Sequence, residues 1–365
     1  MKKIKDLIAS IQRIDQSWIG KAQARQNRLT KPPGSLGVLE EIACRIAGIQ
    51  QTLSPSVDHK RVVVFAADHG ITEEGVSPYP DEVTAQMVAN FLRGGAAINA
   101  FAKTGGAEVI VVDIGVKSPI PVVEKIDLSI RFSQKAVRRG TRNFVKGPAL
   151  TEEEVVQAIS AGVEVAEEAK AAGVNLIALG EMGIGSTTTA AAIAAALTGQ
   201  SGASVTGRGT GVDDSTLTRK RAVVDQALRI HQPNPTDALS VLQAFGGLEI
   251  AGLVGVCLGA AAARIPIVID GFITAAAAAL AARMSPTVVD YMFAGHLSVE
   301  PGHSVLLHML DLQPMLDFRM RLGEGTGAAL ATNIIDAAVR SFVEMATFES
   351  AGVSEKQELA SGVVT

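Results

Sequence analysis

The chain is poor in cysteine, in aromatic residues and in clustered charge, and each shortage excludes classes of protein. Its 365 residues include only two cysteines, Cys44 and Cys257, which lie far apart and outside any C-x-x-C spacing. Isolated thiols of this kind exclude a disulfide framework and fit a reducing cytoplasm. Aromatic residues make up only 4% of the chain, whereas 47% of it is hydrophobic. That hydrophobic content is ample for a large buried core.

Charge and hydropathy argue against nucleic-acid and membrane partners. The formal net charge is -4, and no long run of like charge occurs, so no basic surface for nucleic acid or lipid is expected. The most apolar stretch, residues 250–282, is interrupted by Arg264 and Asp270. Neither half reaches the about 20 residues that a bilayer span needs. Since Arg13 and Asp15 also interrupt the N-terminal apolar stretch, we expect a soluble, cytoplasmic protein without a secretory signal.

Short apolar runs rich in β-branched residues indicate strands that are buried on both faces of a sheet. These runs are residues 62–67, 109–112, 176–179, 265–269 and 288–293. Helical patterns separate them, including one that opens with a capping box at Thr151 to Glu154. This alternation predicts an α/β fold with a parallel sheet and helices on both faces. In such sheets ligands bind beyond the carboxyl ends of the strands.

The two ends of the chain have a different pattern. Residues 1–40 are charged and helical in pattern and close with a glycine- and proline-rich segment at 31–37, and residues from about 333 onward are helical again. We therefore expect a small helical domain, formed by residues 1–40 and about 333–365, beside an α/β catalytic domain of residues 41–332.

Glu324 stands alone between Gly323 and Gly325, just before a helix-like, alanine-rich run. The glycines let the backbone approach a ligand closely. A helix start adds unpaired N–H groups and a partial positive charge. The segment thus predicts an anion-binding turn beside one carboxylate that can accept a proton. The alternative is a tight turn that carries a solvated glutamate.

A second glycine-rich segment, residues 180–189, follows a predicted strand and opens a predicted helix. Backbone N–H groups and hydroxyls at Gly183, Gly185, Ser186 and Thr187 would form a phosphate cradle. No lysine follows the last glycine, and the spacing is not G-x-G-x-x-G. Neither an ATPase nor a nicotinamide dehydrogenase is therefore indicated. A turn that serves only close helix–strand packing is the alternative.

A third glycine-rich loop, residues 207–214, precedes Lys220 on a predicted helix. A cation in this position could pair with a phosphate. For the neighbouring Arg219 and Arg221, a solvated basic helix face is the favoured interpretation.

A metal site is one hypothesis for His69, His296 and His303. Their spacing matches no zinc pattern such as H-E-x-x-H. We expect no metal, and we interpret His296 and His303 as hydrogen-bonding residues of loops.

Seven segments of the chain, in order and over nearly its whole length, together resemble one known family. The segments are residues 31–37, 68–70, 80–84, 94–99, 180–185, 300–303 and 321–327. The chain is similar to the nicotinate-nucleotide:dimethylbenzimidazole phosphoribosyltransferases, which make α-ribazole 5′-phosphate for the lower ligand of cobalamin. The set of segments is far more specific than any single glycine loop.

This resemblance implies a Rossmann-like parallel sheet with a small helical domain, a homodimer, and a reaction without metal or cofactor. Nicotinate mononucleotide would give its phosphoribosyl group to dimethylbenzimidazole, with inversion at C1′ and release of nicotinate. The carboxylate that matches Glu324 would be the general base. By position, Glu181, Lys220 and Ser298 match residues around the nucleotide, and Gln86 lies in the segment near the base pocket. With few aromatic residues in the chain, we expect aliphatic residues and methionine to hold the flat base together with Tyr79 or Phe91.

The chain departs from the family pattern at one position, and three alternative functions stay open. Ser186 stands where the family usually has asparagine, which shortens the reach of that side chain. A phosphoribosyltransferase for another base or a phenol is the first alternative, because acceptor choice depends on pocket shape. A catalytically silent nucleotide-binding protein is the second, although it would have no reason to keep Glu324. A metal hydrolase that uses the histidines is the third.

Overall fold

The computed structural model describes residues 2–354, which contain seven strands and fifteen α-helices. The strands are β1 (Lys60–Ala67), β2 (Glu108–Gly115), β3 (Ile130–Gln134), β4 (Leu176–Met182), β5 (Ile267–Ile269), β6 (Met292–His296) and β7 (Pro314–Leu316). The helices are α1 (Lys2–Ser10), α2 (Gln16–Gln26), α3 (Val38–Gln50), α4 (Glu82–Arg93), α5 (Ala97–Thr104), α6 (Glu152–Ala171), α7 (Ser186–Thr198), α8 (Gly202–Val205), α9 (Asp214–His231), α10 (Ala238–Phe245), α11 (Leu248–Ala262), α12 (Phe272–Met284), α13 (Pro301–Leu310), α14 (Thr326–Glu344) and α15 (Phe348–Ala351).

All seven strands form one parallel sheet in the order β3-β2-β1-β4-β5-β6-β7. Every residue of β1 is buried, as expected for a central strand that is covered on both faces. The strand order reverses between β1 and β4, and this switch point is where open α/β sheets bind ligands. The predicted α/β fold with a parallel sheet and helices is confirmed.

Local sequence signals account for most of these elements. The Thr151 hydroxyl accepts from the Glu154 N–H at 3.2 Å, and the Glu154 carboxylate accepts from the Thr151 N–H at 2.8 Å, so the predicted capping box opens α6. The expected strand over 288–293 is wrong in its first half, because a 3₁₀ turn that begins at Pro286 delays β6 to Met292. The outer strands β3 and β7 have partly exposed residues and therefore lack a continuous apolar run.

The chain divides into two compact units, a larger one of residues 2–14 and 57–333 and a smaller one of residues 15–56 and 334–354. These boundaries differ from the expected ones at the N-terminal side. Helix α1 buries Ile4 and packs against α11 within the larger unit. Residues 41–56 lie in the smaller unit, because α3 continues to Gln50. Residues 355–365, which the prediction included in the small domain, lie outside the described residues.

The smaller unit is organised around buried Glu40. Its carboxylate pairs with Lys31 at 2.6 Å and accepts from the Leu36 N–H at 3.1 Å and the Gly34 N–H at 3.3 Å. The segment at 31–37 is therefore a turn that wraps the start of α3.

The apolar stretch at 250–282 forms α11, β5 and α12, and nearly all of its residues are buried within the larger unit. It consequently offers no spare apolar surface of the kind that would suggest subunit pairing. Across residues 2–354, no helix is long and apolar enough to cross a membrane.

Candidate active site at the carboxyl edge of the sheet

The carboxyl ends of β4, β5 and β6 bring together several polar residues that are distant in sequence. The Glu324 N–H donates to the Glu181 carbonyl at 3.2 Å, and the Gly325 N–H donates to Asp270 at 3.1 Å. Ser298 follows β6, and a Cβ atom at Gly271 would lie 4.0 Å from its Cβ. A carboxylate from each of three different segments therefore meets at one edge of the sheet.

Glu324 lies in a tight turn that is pressed against β4. A Cβ atom at Gly180 would lie only 2.6 Å from the Glu324 carbonyl oxygen, so glycine is required at that strand position. Glu324 itself has a φ of 62°, a left-handed conformation that residues other than glycine rarely adopt. Strained positions of this kind cluster at active sites and ligand clamps.

The environment of Glu324 raises its affinity for a proton. Burial raises the pKa of its carboxyl from the ordinary value of 4.5 to about 7; the Asp270 charge adds to this, and a hydrogen bond from the Ile98 N–H opposes it. One carboxylate oxygen has no hydrogen-bond partner among residues 2–354. A carboxyl with a pKa near neutrality is suited to accept a proton at physiological pH.

Glu181 is a second buried carboxyl beside Glu324, with a different proton affinity. A Cβ atom at Gly323 would lie 2.8 Å from its Oε1, so the side chain packs against the Glu324 turn. Burial raises the Glu181 pKa well above its ordinary value; the charge of Glu249 adds to the shift, and a hydrogen bond with Ser186 opposes it. Burial and the neighbouring negative charges thus favour the protonated form of Glu181.

Asp270 holds the Glu324 turn in place. Its carboxylate accepts from the Gly325 N–H at 3.1 Å and from the Ala328 N–H at 2.9 Å, at the start of α14. The His296 ring nitrogen Nε2 lies 3.5 Å from the same carboxylate. Asp270 directly follows the strand predicted at 265–269, so its place at this edge is visible in the sequence, whereas its contact with the distant Glu324 turn is not.

The predicted phosphate cradle lies at the next loop, between β4 and α7. Helix α7 begins at Ser186, directly after Gly185, which has a φ of 97°. A left-handed conformation at this position favours glycine. The start of α7 supplies backbone N–H groups and the positive end of the helix dipole, which attract anions.

Lys220 reaches the cradle from α9. Its ammonium donates to the Thr187 hydroxyl at 2.9 Å, and the side chain is buried. Burial lowers the Lys220 pKa to about 8, although the nearby Glu300 carboxylate opposes this shift. A buried cation beside a helix N-terminus is suited to a phosphate. The cradle and the cation that the sequence predicts separately are thus brought into contact.

Ser298 joins the same region through a set of loop hydrogen bonds. Its hydroxyl accepts from the Glu300 N–H at 3.4 Å, and the Glu300 carboxylate accepts from the Gly209 N–H at 2.8 Å. The Ser298 N–H donates to His303 Nδ1 at 2.9 Å, and burial lowers the His303 pKa to about 3. His303 is therefore a neutral hydrogen-bond acceptor in the first turn of α13. The expectation that His296 and His303 lie in loops is wrong, because His296 is the last residue of β6.

Gln86 and the predicted aromatic residues lie at or near α4. Gln86 is exposed on this helix, and its neighbour Thr84 accepts from the Ile184 N–H in the cradle at 3.2 Å. Tyr79 is half-exposed and could face a ligand. Phe91 is fully buried within the larger unit, so the expectation that it contacts a flat base is wrong.

Glu249 is a functional candidate that sequence reasoning missed. Glu249 is completely buried, at the start of α11, and lies 2.9 Å from His69 Nε2. A lone carboxylate at the head of the otherwise apolar α11 is the signal that could have identified it. Within residues 2–354, no group of three or more His, Cys, Asp and Glu side chains is placed to hold a metal ion.

Comparison with known proteins gives a consistent picture. A family model described as a phosphoribosyltransferase matches residues 11–353. The chain is 53% identical over 358 residues to the nicotinate-nucleotide--dimethylbenzimidazole phosphoribosyltransferase of Chloroflexus aggregans, covering 98% of this chain and 100% of that protein. The enzyme of the same name from a Geobacter species is 50% identical over 354 residues, covering 97% and 100%. A crystal structure of the Thermus thermophilus enzyme of this name superposes with a TM-score of 0.86 at 46% identity, covering 94% and 100%.

Proposed function

Because the chain belongs to the nicotinate-nucleotide--dimethylbenzimidazole phosphoribosyltransferase family, we propose that it transfers the phosphoribosyl group of nicotinate mononucleotide to 5,6-dimethylbenzimidazole. The products are α-ribazole 5′-phosphate and nicotinate. One observation carries the chemical part of this proposal: Glu324, with a pKa raised to about 7, lies at the carboxyl edge of the sheet, where its N–H donates to the Glu181 carbonyl at 3.2 Å.

The nucleotide binds through the cradle and its cation. The phosphate is held by backbone N–H groups of Gly183 and Gly185, by the hydroxyls of Ser186 and Thr187, and by Lys220. The contact between Lys220 and Thr187 at 2.9 Å supports this placement, because both polar groups already converge on one point. Ser298 contributes from the neighbouring loop after β6. Ser186 is buried and bonded to Glu181, so the short side chain is used within the site.

The acceptor base lies against the Glu324 turn. Leu322, two residues before the carboxylate, is 56% exposed and offers an apolar surface to a flat ring. Gly323 and Gly325 let the turn pack closely against Glu181 and β4, and Gln86 and Tyr79 lie in or just before α4. This placement brings one imidazole nitrogen of the base to Glu324 and the other toward the ribose.

The chemistry needs one proton acceptor and no acid. One imidazole nitrogen attacks C1′ while the bond from C1′ to the nicotinate ring nitrogen breaks, and its electron pair neutralises the pyridinium. Glu324 takes the proton from the second imidazole nitrogen, so the product azole is neutral. Attack opposite to the leaving group inverts the configuration at C1′ from β to α. Holding both rings in line supplies much of the rate enhancement, and proton removal adds about 10²–10⁴-fold.

Glu181 supports this reaction in its protonated form, which burial and the Glu249 charge favour by raising the Glu181 pKa. The protonated carboxyl donates a hydrogen bond to the ribose or phosphate. A carboxylate at this position would repel both the anionic nucleotide and the ionised Glu324.

The direct test is product analysis with a panel of acceptors. The purified chain is incubated with nicotinate mononucleotide and with dimethylbenzimidazole, other benzimidazoles, adenine or a phenol, and products are identified by mass spectrometry. We expect α-ribazole 5′-phosphate and an equal amount of nicotinate, with Glu324→Gln as the inactive control. If adenine or a phenol is used preferentially, that compound is the acceptor in place of dimethylbenzimidazole. Release of nicotinate without a ribosylated product would refute the proposed transfer reaction.

The enzyme works as a homodimer in the cytoplasm in this proposal. The family resemblance supports the dimer, and the two cysteines support the compartment, since both Cys44 and Cys257 are unpaired and buried. Burial raises the thiol pKa to about 11 for Cys44 and about 12 for Cys257, so neither is activated for disulfide exchange.

A further inference from the structure

His69 connects three elements behind the nucleotide cradle. It follows β1 and is completely buried. Its Nδ1 lies 2.9 Å from the Thr189 hydroxyl in the first turn of α7, and its Nε2 lies 2.9 Å from Glu249 in the first turn of α11. The contact with Glu249 is an ion pair rather than an aligned hydrogen bond. One imidazole therefore fixes the starts of two helices relative to the end of a central strand.

The cradle is built directly on this histidine. A Cβ atom at Gly183 would lie 3.0 Å from His69 Nε2 and 2.4 Å from the carbonyl oxygen of Ala67. A Cβ atom at Gly185 would lie 3.1 Å from the Cβ of His69. A side chain at either position would clash, so the glycine backbone of the turn packs directly on His69 and on the Ala67 carbonyl. The position of the cradle backbone therefore depends on that of His69.

The charges around His69 favour its protonated form. Burial acts to lower the His69 pKa, but the Glu249 carboxylate outweighs it, with smaller contributions from Asp68 and Asp81, so that the pKa is raised. The same Glu249 charge contributes to the raised pKa of Glu181. A charged imidazole paired with a buried carboxylate holds its geometry more firmly than a neutral pair, because either partner alone would be a costly buried charge.

We propose that His69, held by Thr189 and Glu249, is a positioning residue that sets the height and tilt of the Gly183–Gly185 turn and thereby the affinity for the nucleotide phosphate. This inference rests on the proposed function, in which that turn binds nicotinate mononucleotide. It gives the Asp68-His69-Gly70 segment a role that needs no metal ligation. In the proposed function the acceptor base contacts the Glu324 turn rather than the Gly183–Gly185 turn.

The test separates positioning from general stability. Thr189→Val keeps the shape of the side chain but removes the hydroxyl, Glu249→Gln removes the charge, and His69→Gln removes the ring. The matched control is Val165→Ala, a buried change in α6 that destabilises the fold without touching the cradle. For each variant, the melting temperature, the KM for each substrate and the dissociation constant for nicotinate mononucleotide are measured.

We expect Thr189→Val and His69→Gln to raise the KM and dissociation constant for nicotinate mononucleotide by about 10-fold, the loss typical of one hydrogen bond. The KM for the base should stay within about twofold, and Val165→Ala should change neither KM. If the variants raise both KM values equally, or behave like Val165→Ala at a similar loss of melting temperature, His69 is only structural. Wild-type protein that fails to bind nicotinate mononucleotide would instead refute the proposed function itself. If His69→Gln does not fold, Thr189→Val decides the question alone.

Discussion

The Glu324→Gln variant separates the proposed chemistry from folding, because its turnover should fall whereas its stability at neutral pH should not. Glutamine keeps the size and polarity of the side chain but cannot accept the imidazole proton. Loss of a general base typically lowers turnover by about 10²–10⁴-fold. The same change removes a carboxyl whose ionisation opposes folding, so the variant should be no less stable than the wild type at neutral pH.

The sign of the stability effect follows from the raised pKa. The Glu324 carboxyl titrates near 4.5 in the unfolded chain and at about 7 in the folded protein. Between these values the folded state binds more protons, so the wild type loses stability as pH rises from about 4.5 to about 7, and the loss persists above that. Glu324→Gln escapes this loss and should gain about 1–3 kcal/mol relative to the wild type at pH 8.

Activity should have its own pH dependence. The base works only when ionised and the Lys220 cation only when protonated, so kcat/KM should rise with pH through about 7 and fall again above about 8. One pH unit below the pKa, about a tenth of Glu324 is ionised and the rate should fall about tenfold. The substrate phosphate also titrates near pH 6, and the residual rate of Glu324→Gln serves as the control for that effect.

The assay is steady-state kinetics between pH 5.5 and 8.5 with both proteins, together with urea unfolding at pH 5 and pH 8. An activity of Glu324→Gln within a few-fold of wild type at pH 8 would refute the general-base assignment. A large loss of stability in the variant would show that Glu324 serves the fold rather than the reaction.

Four further predictions follow from the site and the family. Lys220→Ala should raise the KM for nicotinate mononucleotide about 10- to 100-fold with little effect on the base; equal losses for both substrates would contradict a phosphate contact. Gly180→Ala should abolish most activity, since its Cβ would lie 2.6 Å from the Glu324 carbonyl oxygen; wild-type kinetics would show that the turn tolerates displacement. Full activity should persist after chelation with EDTA and desalting, whereas rescue by zinc or magnesium would revive the hydrolase alternative. Light scattering at low micromolar concentration should give a dimer mass, and an active enzyme with a monomer mass would contradict the proposed homodimer.

Local signals in the sequence were sufficient for the central sheet and for the two main parts of the site. The buried strands β1, β2 and β4 carry continuous apolar runs, because helices cover both of their faces. The isolated carboxylate between Gly323 and Gly325 predicts a tight turn, and both glycines have a positive φ there, at 87° and 85°. The role of Glu324 as general base stays a prediction. The cradle at 183–187 was visible because it combines glycines with a helix start.

Other parts of the site depend on contacts between distant segments and could not be read locally. Asp270 directly follows a predicted strand, but its contact with the distant Glu324 turn is not visible in the sequence. Glu249 and His69 meet through the packing of α11 beneath the end of β1. The outer strands β3 and β7 were hidden because partly exposed residues lack a continuous apolar pattern.

The most direct test of the central claim is the anomeric configuration of the product, measured by NMR on the compound formed from nicotinate mononucleotide and dimethylbenzimidazole. In-line displacement at C1′, with Glu324 removing the azole proton, predicts a single α-configured ribazole 5′-phosphate and one equivalent of nicotinate. A β-configured product, or ribose 5-phosphate in place of a ribosylated base, would contradict the mechanism.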